Sequence, residues 1–280
     1  MTVHAHPDDE IFGTGGTLAK AAEQGIHTVL VTCTGGEEGE IVDPSMDQDK
    51  VRPRLREVRA EELRCAIRAL GIETLEFLGY RDSGMAGTEA NSNPQSFHMA
   101  DIGEATGRLV RLIRRYRPQV LVSYDENGSY GHPDHIKAHQ ITVLAFDAAG
   151  DPAQYPEAGE PWQPQKLYYS GISRGQIQRW RRTAEEAGIE DAWVRREPAP
   201  DEPPRGLPQE RITTYIDITP YLQRKRDAFR CHRTQIKEDN FIISTPAELA
   251  ERAFYDEQFI RVRSLVEAPT PEKDLFAGLR

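Results

Sequence analysis

Two short apolar runs are each followed by a His-Pro-Asp triplet: Thr2 to Ala5 leads straight into His6-Pro7-Asp8, and Gln119 to Tyr124 precedes His132-Pro133-Asp134 by a short polar segment. Runs this short read as buried strands, and Pro7 stiffens the turn that leaves the first. The pattern between the two triplets decides whether a fold joins or separates them. Thr28 to Thr34 and Thr74 to Leu78 read as further strands. Gly13 to Gln24, the series Leu55, Val58, Leu63, Ala66, Ile67 and Leu70, and the series Leu109, Leu112, Ile113 and Tyr116 read as helices. Gly25 and Gly71 stand where helices end in a left-handed residue. The alternation predicts an α/β, Rossmann-like, mainly parallel sheet with helices on both faces. Such sheets collect ligands beyond the carboxyl ends of their strands, where the strand order reverses. An order 3-2-1-4 sets the first and fourth strands side by side and brings the two triplets together.

The second half predicts less. Lys166 to Ser170 reads as a fifth strand, Ser173 to Ala187 as a charged helix and Glu197 to Pro208 as an exposed, proline-rich loop. Arg211 to Ile218 alternates like a strand, and Thr219-Pro220 opens a helix carrying His232. One domain over residues 1–280 is expected, with the Rossmann-like core and metal site in 1–170 and a C-terminal α+β extension in 171–280. The net charge of -10 argues against nonspecific nucleic-acid or membrane binding. No apolar run is long enough to span a bilayer, and no signal peptide opens the chain. Cys33, Cys65 and Cys231 form no CxxC pair and are expected as free thiols in a reducing, cytoplasmic setting. The sequence leaves a homo-oligomer open.

The chemistry concentrates in the triplets. Asp8, Asp9 and Glu10 alone could be an acidic helix start. Two His-Pro-Asp triplets at neighbouring strand ends are hard to explain by packing. Imidazole nitrogen and carboxylate oxygen suit Zn²⁺, and a catalytic zinc keeps three protein ligands and one open position; His6, Asp9 and His135 supply that count. Fe²⁺ fits the same donors. Asp8 is then free to act as general base. His132 faces the substrate side, where it stabilises the tetrahedral intermediate and protonates the leaving amine, with Asp134 fixing its tautomer. The Tyr130 phenol adds a hydrogen bond to the oxyanion. A phosphoesterase would want two metals and more carboxylates, and a non-catalytic sugar- or metal-binding protein would not need Asp8, His132 and Asp134 around an open ion.

His6-Pro7-Asp8-Asp9-Glu10 together with His132-Pro133-Asp134-His135 resembles the PIG-L/LmbE family of zinc deacetylases, over nearly the whole chain. Within it the chain is most similar to the mycothiol branch, the S-conjugate amidases and the N-acetyl-glucosaminyl-inositol deacetylases. The segments 34–40 (TGGEEGE), 81–87 (RDSGMAG), 124–130 (YDENGSY), 159–162 (GEPW), 232–236 (HRTQI) and 275–278 (LFAG) carry that likeness. The resemblance implies the same ligands and base, and places Glu40, Arg59 and Asp82 against sugar or inositol hydroxyls. It implies a small aminosugar or thiol-conjugate substrate. The tail tilts the reading to the amidase. The run Gly13-Thr14-Gly15-Gly16 departs from both branches and leaves the acyl group open, another N-acetyl aminosugar conjugate included.

Overall fold

The structure is a computed structural model that describes residues 1–196, 198 and 204–280. Seven strands form one sheet: β1 (Thr2–His4), β2 (Val29–Thr34), β3 (Thr74–Tyr80), β4 (Val120–Ser123), β5 (Lys166–Gly171), β6 (Thr214–Asp217) and β7 (Asp256–Ser264). Their order is β3-β2-β1-β4-β5-β7-β6. β1 to β5 run parallel, and β7 pairs antiparallel with both β5 and β6. The expected reversal lies where predicted: Thr2 of β1 is in register with Leu30 on one side and Val122 on the other.

Side chains on a strand alternate between faces, and both faces here are buried. Val29, Val31 and Cys33 join the core formed with Leu109, Ile113, Ala138 and Ile141 of the Ile102–Tyr116 and Pro133–Ala148 helices. Leu30 points the other way, into a core with Leu18, Leu63, Leu70 and Phe229 of the Gly15–Glu23, Leu55–Leu70 and Leu222–Cys231 helices. Each fully buried Leu or Ile contributes about 1.5–3 kcal/mol over its exposed state. The Leu55–Leu70 helix has the predicted bounds, and Gly71, at φ 77°, ends it. No helix of the described residues is long and apolar enough to cross a membrane.

The structure differs from the expectations at several places. The helix expected over Gly13 to Gln24 spans Gly15–Glu23, and a further short helix, Asp9–Gly13, precedes it and is parted from it at Thr14. A tertiary clamp holds the start of the second of these helices. Glu257 of β7 accepts the Gly16 and Thr17 N–H groups, both at 2.8 Å. Lys225 pairs with Glu257 at 2.7 Å and donates to the Phe12 carbonyl at 2.8 Å. A Cβ at Gly16 would come within 2.6 Å of Ile218, so this approach needs glycine. Thr219 opens a 3₁₀ turn and not the following helix, which begins at Leu222 and ends before His232. Of the expected loop, residues 197 and 199–203 lie outside the described residues, while Leu207 bridges to Ser173.

The expectation of three free thiols is corrected as well. Cys65 and Cys231 form a disulfide across the packed Leu55–Leu70 and Leu222–Cys231 helices, their Cα atoms 5.6 Å apart. Their separation of 166 residues gives no local signal of the pairing. Cys33 is free and buried.

Candidate active site

β1 ends at His4, and the chain turns sharply through His6 to Asp9. Asp8, at the start of the short helix, has φ 108°, a left-handed conformation that a non-glycine residue holds at a cost of about 1–3 kcal/mol. Such a residue persists where its surroundings fix it. The Asp8 N–H donates to Glu10 Oε2 at 3.0 Å, and Arg59 reaches its carboxylate at 3.3 Å. The His6 N–H donates to Asp9 Oδ2 at 2.7 Å. Beyond β4, residues 124–132 form a tight loop. Gly128, at φ 58°, passes so close to His135 that a Cβ would lie 2.6 Å from the His135 Cβ. Asp125 Oδ1 holds the Ser129 N–H at 2.8 Å.

The two corners meet. His6 Nδ1 lies 3.4 Å from Asp9 Oδ2 and 3.3 Å from His135 Nε2, which is itself 3.3 Å from Asp9 Oδ1. These are the separations that neighbouring ligands make around a tetrahedral ion with bonds of about 2.0–2.1 Å. The donor chemistry fits: two imidazole nitrogens and a carboxylate aim at one another, all largely buried. Burial pushes the His135 imidazole down to about 3, which leaves it neutral and able to ligate. Burial opposes the Asp9 charge, but His135 and His6 hold its carboxyl well below the usual range. His6, His132 and His135 also gather, as do His6, Asp82 and Asp134, through the other face of the His6 ring.

That second face corrects an expectation. The Asp134 carboxylate does not orient His132. His132 caps the Pro133–Ala148 helix, its Nδ1 accepting the Asp134 backbone N–H at 3.1 Å. The helix start thereby directs the Asp134 side chain away from His132. The carboxylate accepts instead from His6 Nε2 at 3.2 Å, from the Ser83 N–H at 2.9 Å and from the Ser83 hydroxyl. With Nε2 bonded to Asp134, His6 turns Nδ1 toward Asp9 and His135, the usual way a carboxylate fixes a ligand's tautomer. Burial lowers the His6 pKa, but Asp82, Asp134 and Asp9 outweigh it and raise the pKa well above 6.5 in the metal-free protein. His132 needs no carboxylate to set its tautomer: an Nδ1 that accepts leaves the proton on Nε2. Burial, and then the charge of His6, lower its pKa.

Burial raises the Asp8 carboxyl to about 7 against the pull of Arg59. Tyr130 is 61% exposed, with its hydroxyl 3.5 Å from His135 Nε2. The three residues expected at substrate hydroxyls divide. Arg59 is 3% exposed and its guanidinium donates to the Pro7 and Gly36 carbonyls at 2.5 and 2.7 Å. Asp82 is also 3% exposed, accepting the Gly84 and Glu38 N–H groups, with His6 Nε2 3.5 Å away. Both are occupied within the protein. Glu40 is exposed, on the loop whose backbone Gln235 holds at the Glu40 carbonyl. Sequence reasoning gave no role to Ser83, Glu10 or Tyr124. The Tyr124 hydroxyl accepts the Ala5 N–H at 2.8 Å while its ring stacks on His135 at 4.2 Å. Its place at a strand end was the available signal.

Residues 1–146 match the family described as PIG-L: GlcNAc-PI de-N-acetylase. The chain is 41% identical over 288 residues to the 1D-myo-inositol 2-acetamido-2-deoxy-alpha-D-glucopyranoside deacetylase 1 of Catenulispora acidiphila, covering 100% of this chain and 88% of the relative. It is 38% identical over 289 residues to the mycothiol S-conjugate amidase of Streptomyces coelicolor, covering 100% and 97%. Among solved structures it is similar in fold to the N,N'-diacetylchitobiose deacetylase of Pyrococcus horikoshii, with a TM-score of 0.63 at 19% identity over 94% of this chain and 82% of that one.

Proposed function

The chain belongs to the PIG-L family and is a hydrolase of amide carbon–nitrogen bonds; from that premise we propose that it removes the acetyl group from an N-acetyl-glucosaminyl-inositol, using one divalent ion held by His6, Asp9 and His135. The observation that carries this reading is the triangle of His6 Nδ1, Asp9 carboxylate and His135 Nε2, with edges of 3.3 to 3.4 Å and Asp8 beside it. Zinc, or ferrous iron, bound there would supply Lewis acidity to the amide carbonyl and lower the pKa of an attacking water. Asp8, beside the triangle, takes the proton from the attacking water as general base. His132 presents its Nε2–H to the developing oxyanion, and Tyr130 adds its hydroxyl. The proton collected at Asp8, or that of His132, passes to the leaving amine. Glu40 is the proposed contact to substrate hydroxyls, while Arg59 and Asp82 hold the loops that shape the pocket.

The names of the relatives support the glucosaminyl-inositol end of the substrate. The likeness to the amidase, at 38% identity, favours a second reading in which the bulkier acyl group of a mycothiol S-conjugate is cut. The test is kcat/KM of the zinc-loaded enzyme on the N-acetyl-glucosaminyl-inositol, on an S-conjugate and on plain N-acetylglucosamine. The acetyl substrate should lead. A lead by the S-conjugate transfers the assignment to the second reading, and no preference over N-acetylglucosamine ends the inositol reading.

A further inference from the structure

The structure assigns His232 a place in the catalytic apparatus as a positioning residue that sets, through Glu10, the backbone conformation presenting Asp8. It rests on the deacylase reading above for its kinetic consequence, but the contact stands independently of substrate. His232 is remote from the turn in sequence and lies outside the family match of residues 1–146. Its Nε2 nonetheless meets Glu10 Oε1 at 2.7 Å, with both side chains fully buried. The other Glu10 oxygen accepts the Asp8 N–H at 3.0 Å. A single side chain thus links the C-terminal segment to the one backbone amide whose left-handed conformation aims the proposed base.

The far end of this link is anchored as firmly. Cys231, next to His232, is bonded to Cys65. Glu62, a turn earlier on the same helix as Cys65, accepts the Thr234 N–H at 2.8 Å and the Thr234 hydroxyl at 2.6 Å. His232 is therefore held on both sides by the helix that also carries Arg59, the second group on Asp8. The Asp8 turn is gripped at its amide by Glu10 and at its carboxylate by Arg59, and both grips trace to the Leu55–Leu70 helix. Without His232, Glu10 is a buried carboxylate free to turn from the Asp8 amide. Asp8 can then leave its left-handed conformation while the ligand side chains stay in place.

The experiment uses the full-length zinc enzyme and the variants His232→Ala and His232→Gln, whose amide can donate in place of Nε2. Amide hydrogen exchange of the peptide spanning residues 5–12, followed by mass spectrometry, reads the turn without a substrate. His232→Ala should exchange there about ten-fold faster, an opening made easier by one lost buried hydrogen bond, and His232→Gln should return to the wild-type rate. On the substrate that the wild type turns over, kcat of His232→Ala should fall about 10–100-fold, the effect of a base misplaced by about 1 Å. KM and zinc content should hold, and His232→Gln should restore kcat. Unchanged exchange at 5–12 in His232→Ala overturns the proposal, as does a loss confined to KM or to zinc content. Should His232→Ala not fold, Glu10→Met takes its place, and wild-type exchange and kcat in that variant overturn the proposal equally. If the wild type cleaves no N-acyl-glucosaminyl substrate, the deacylase reading falls and the exchange result still decides the positioning.

Discussion

Replacing Asp134 by Asn separates two accounts of what this carboxylate does. Three donors converge on its two oxygens: the Ser83 N–H at 2.9 Å, the Ser83 hydroxyl and His6 Nε2 at 3.2 Å. In Asp134→Asn the amide oxygen can keep the two N–H donors, and its NH₂ can turn to the Ser83 oxygen. Shape and hydrogen-bond count survive; the charge does not. A charge-assisted hydrogen bond is roughly twice as strong as a neutral one, so His6 becomes a poorer ligand. Loss of such a supporting carboxylate typically weakens metal binding by about 10–100-fold, or ~1.4–2.7 kcal/mol. Removing the charge also lets the proton on His6 leave more easily, which offsets the loss at low pH. Zinc affinity is therefore best measured near pH 8, by competition with a chromogenic chelator and with circular dichroism as a check on folding. If zinc affinity is unchanged and kcat alone falls, Asp134 serves acid catalysis and its assignment to His6 is wrong.

Asp8→Asn should retain zinc and lose kcat by roughly 10²–10⁴-fold, the worth of a positioned base; near wild-type turnover in the loaded variant would remove Asp8 from that role. Zinc loading should release about one proton at pH 7, since the metal-free protein holds His6 charged through Asp82, Asp134 and Asp9; titration calorimetry in buffers of different ionisation enthalpy measures it, and the same heats in every buffer would contradict it. The sign for stability follows: the metal-free fold gains from charged His6 below its unfolded pKa of about 6.5 and loses that gain as pH rises through the raised value. Lys225→Met leaves Glu257 buried without its cation and should cost about 3–5 kcal/mol in urea unfolding; a change under ~1 kcal/mol would mean that the Gly16 and Thr17 amides alone hold Glu257. Reducing the Cys65–Cys231 bond should lower stability by about 2–5 kcal/mol, because it closes a long loop; an unchanged midpoint in reductant would show that the helices dock as well without it.

The parallel sheet was legible because each of its strands is a short apolar run ended by glycine or a polar corner, and Leu55–Leu70 because a helical period meets Gly71. The meeting of the two triplets followed from the topology alone. The short Asp9–Gly13 helix and the clamp after it were not legible, since Glu257 and Lys225 reach this glycine-rich stretch from across the fold. The direction of Asp134 was lost for a similar reason. Adjacency suggested His132, whereas a helix N-cap turns the neighbouring side chain away from it to a partner in the turn after β1. Arg59 was expected at substrate hydroxyls, and the carbonyls that its guanidinium meets belong to loops with no regular pattern.

The position of β7 has a consequence for synthesis. It is the last strand in the chain, yet it sits inside the sheet between β5 and β6. A ribosome delivers residues in order at about 5–20 per second. His6, Asp9 and His135 emerge early, and β5 follows with one edge unpaired. That edge stays open until Asp256–Ser264 arrives, an interval of roughly 5–20 seconds at those rates. An unpaired strand edge is a template for the wrong partner. The interval is also one in which an arriving metal ion would meet all three proposed ligands before Glu257 has fixed the helix beside them. Crowded polysomes, where several such edges lie close together, are thus the setting in which this chain is most exposed to misassembly.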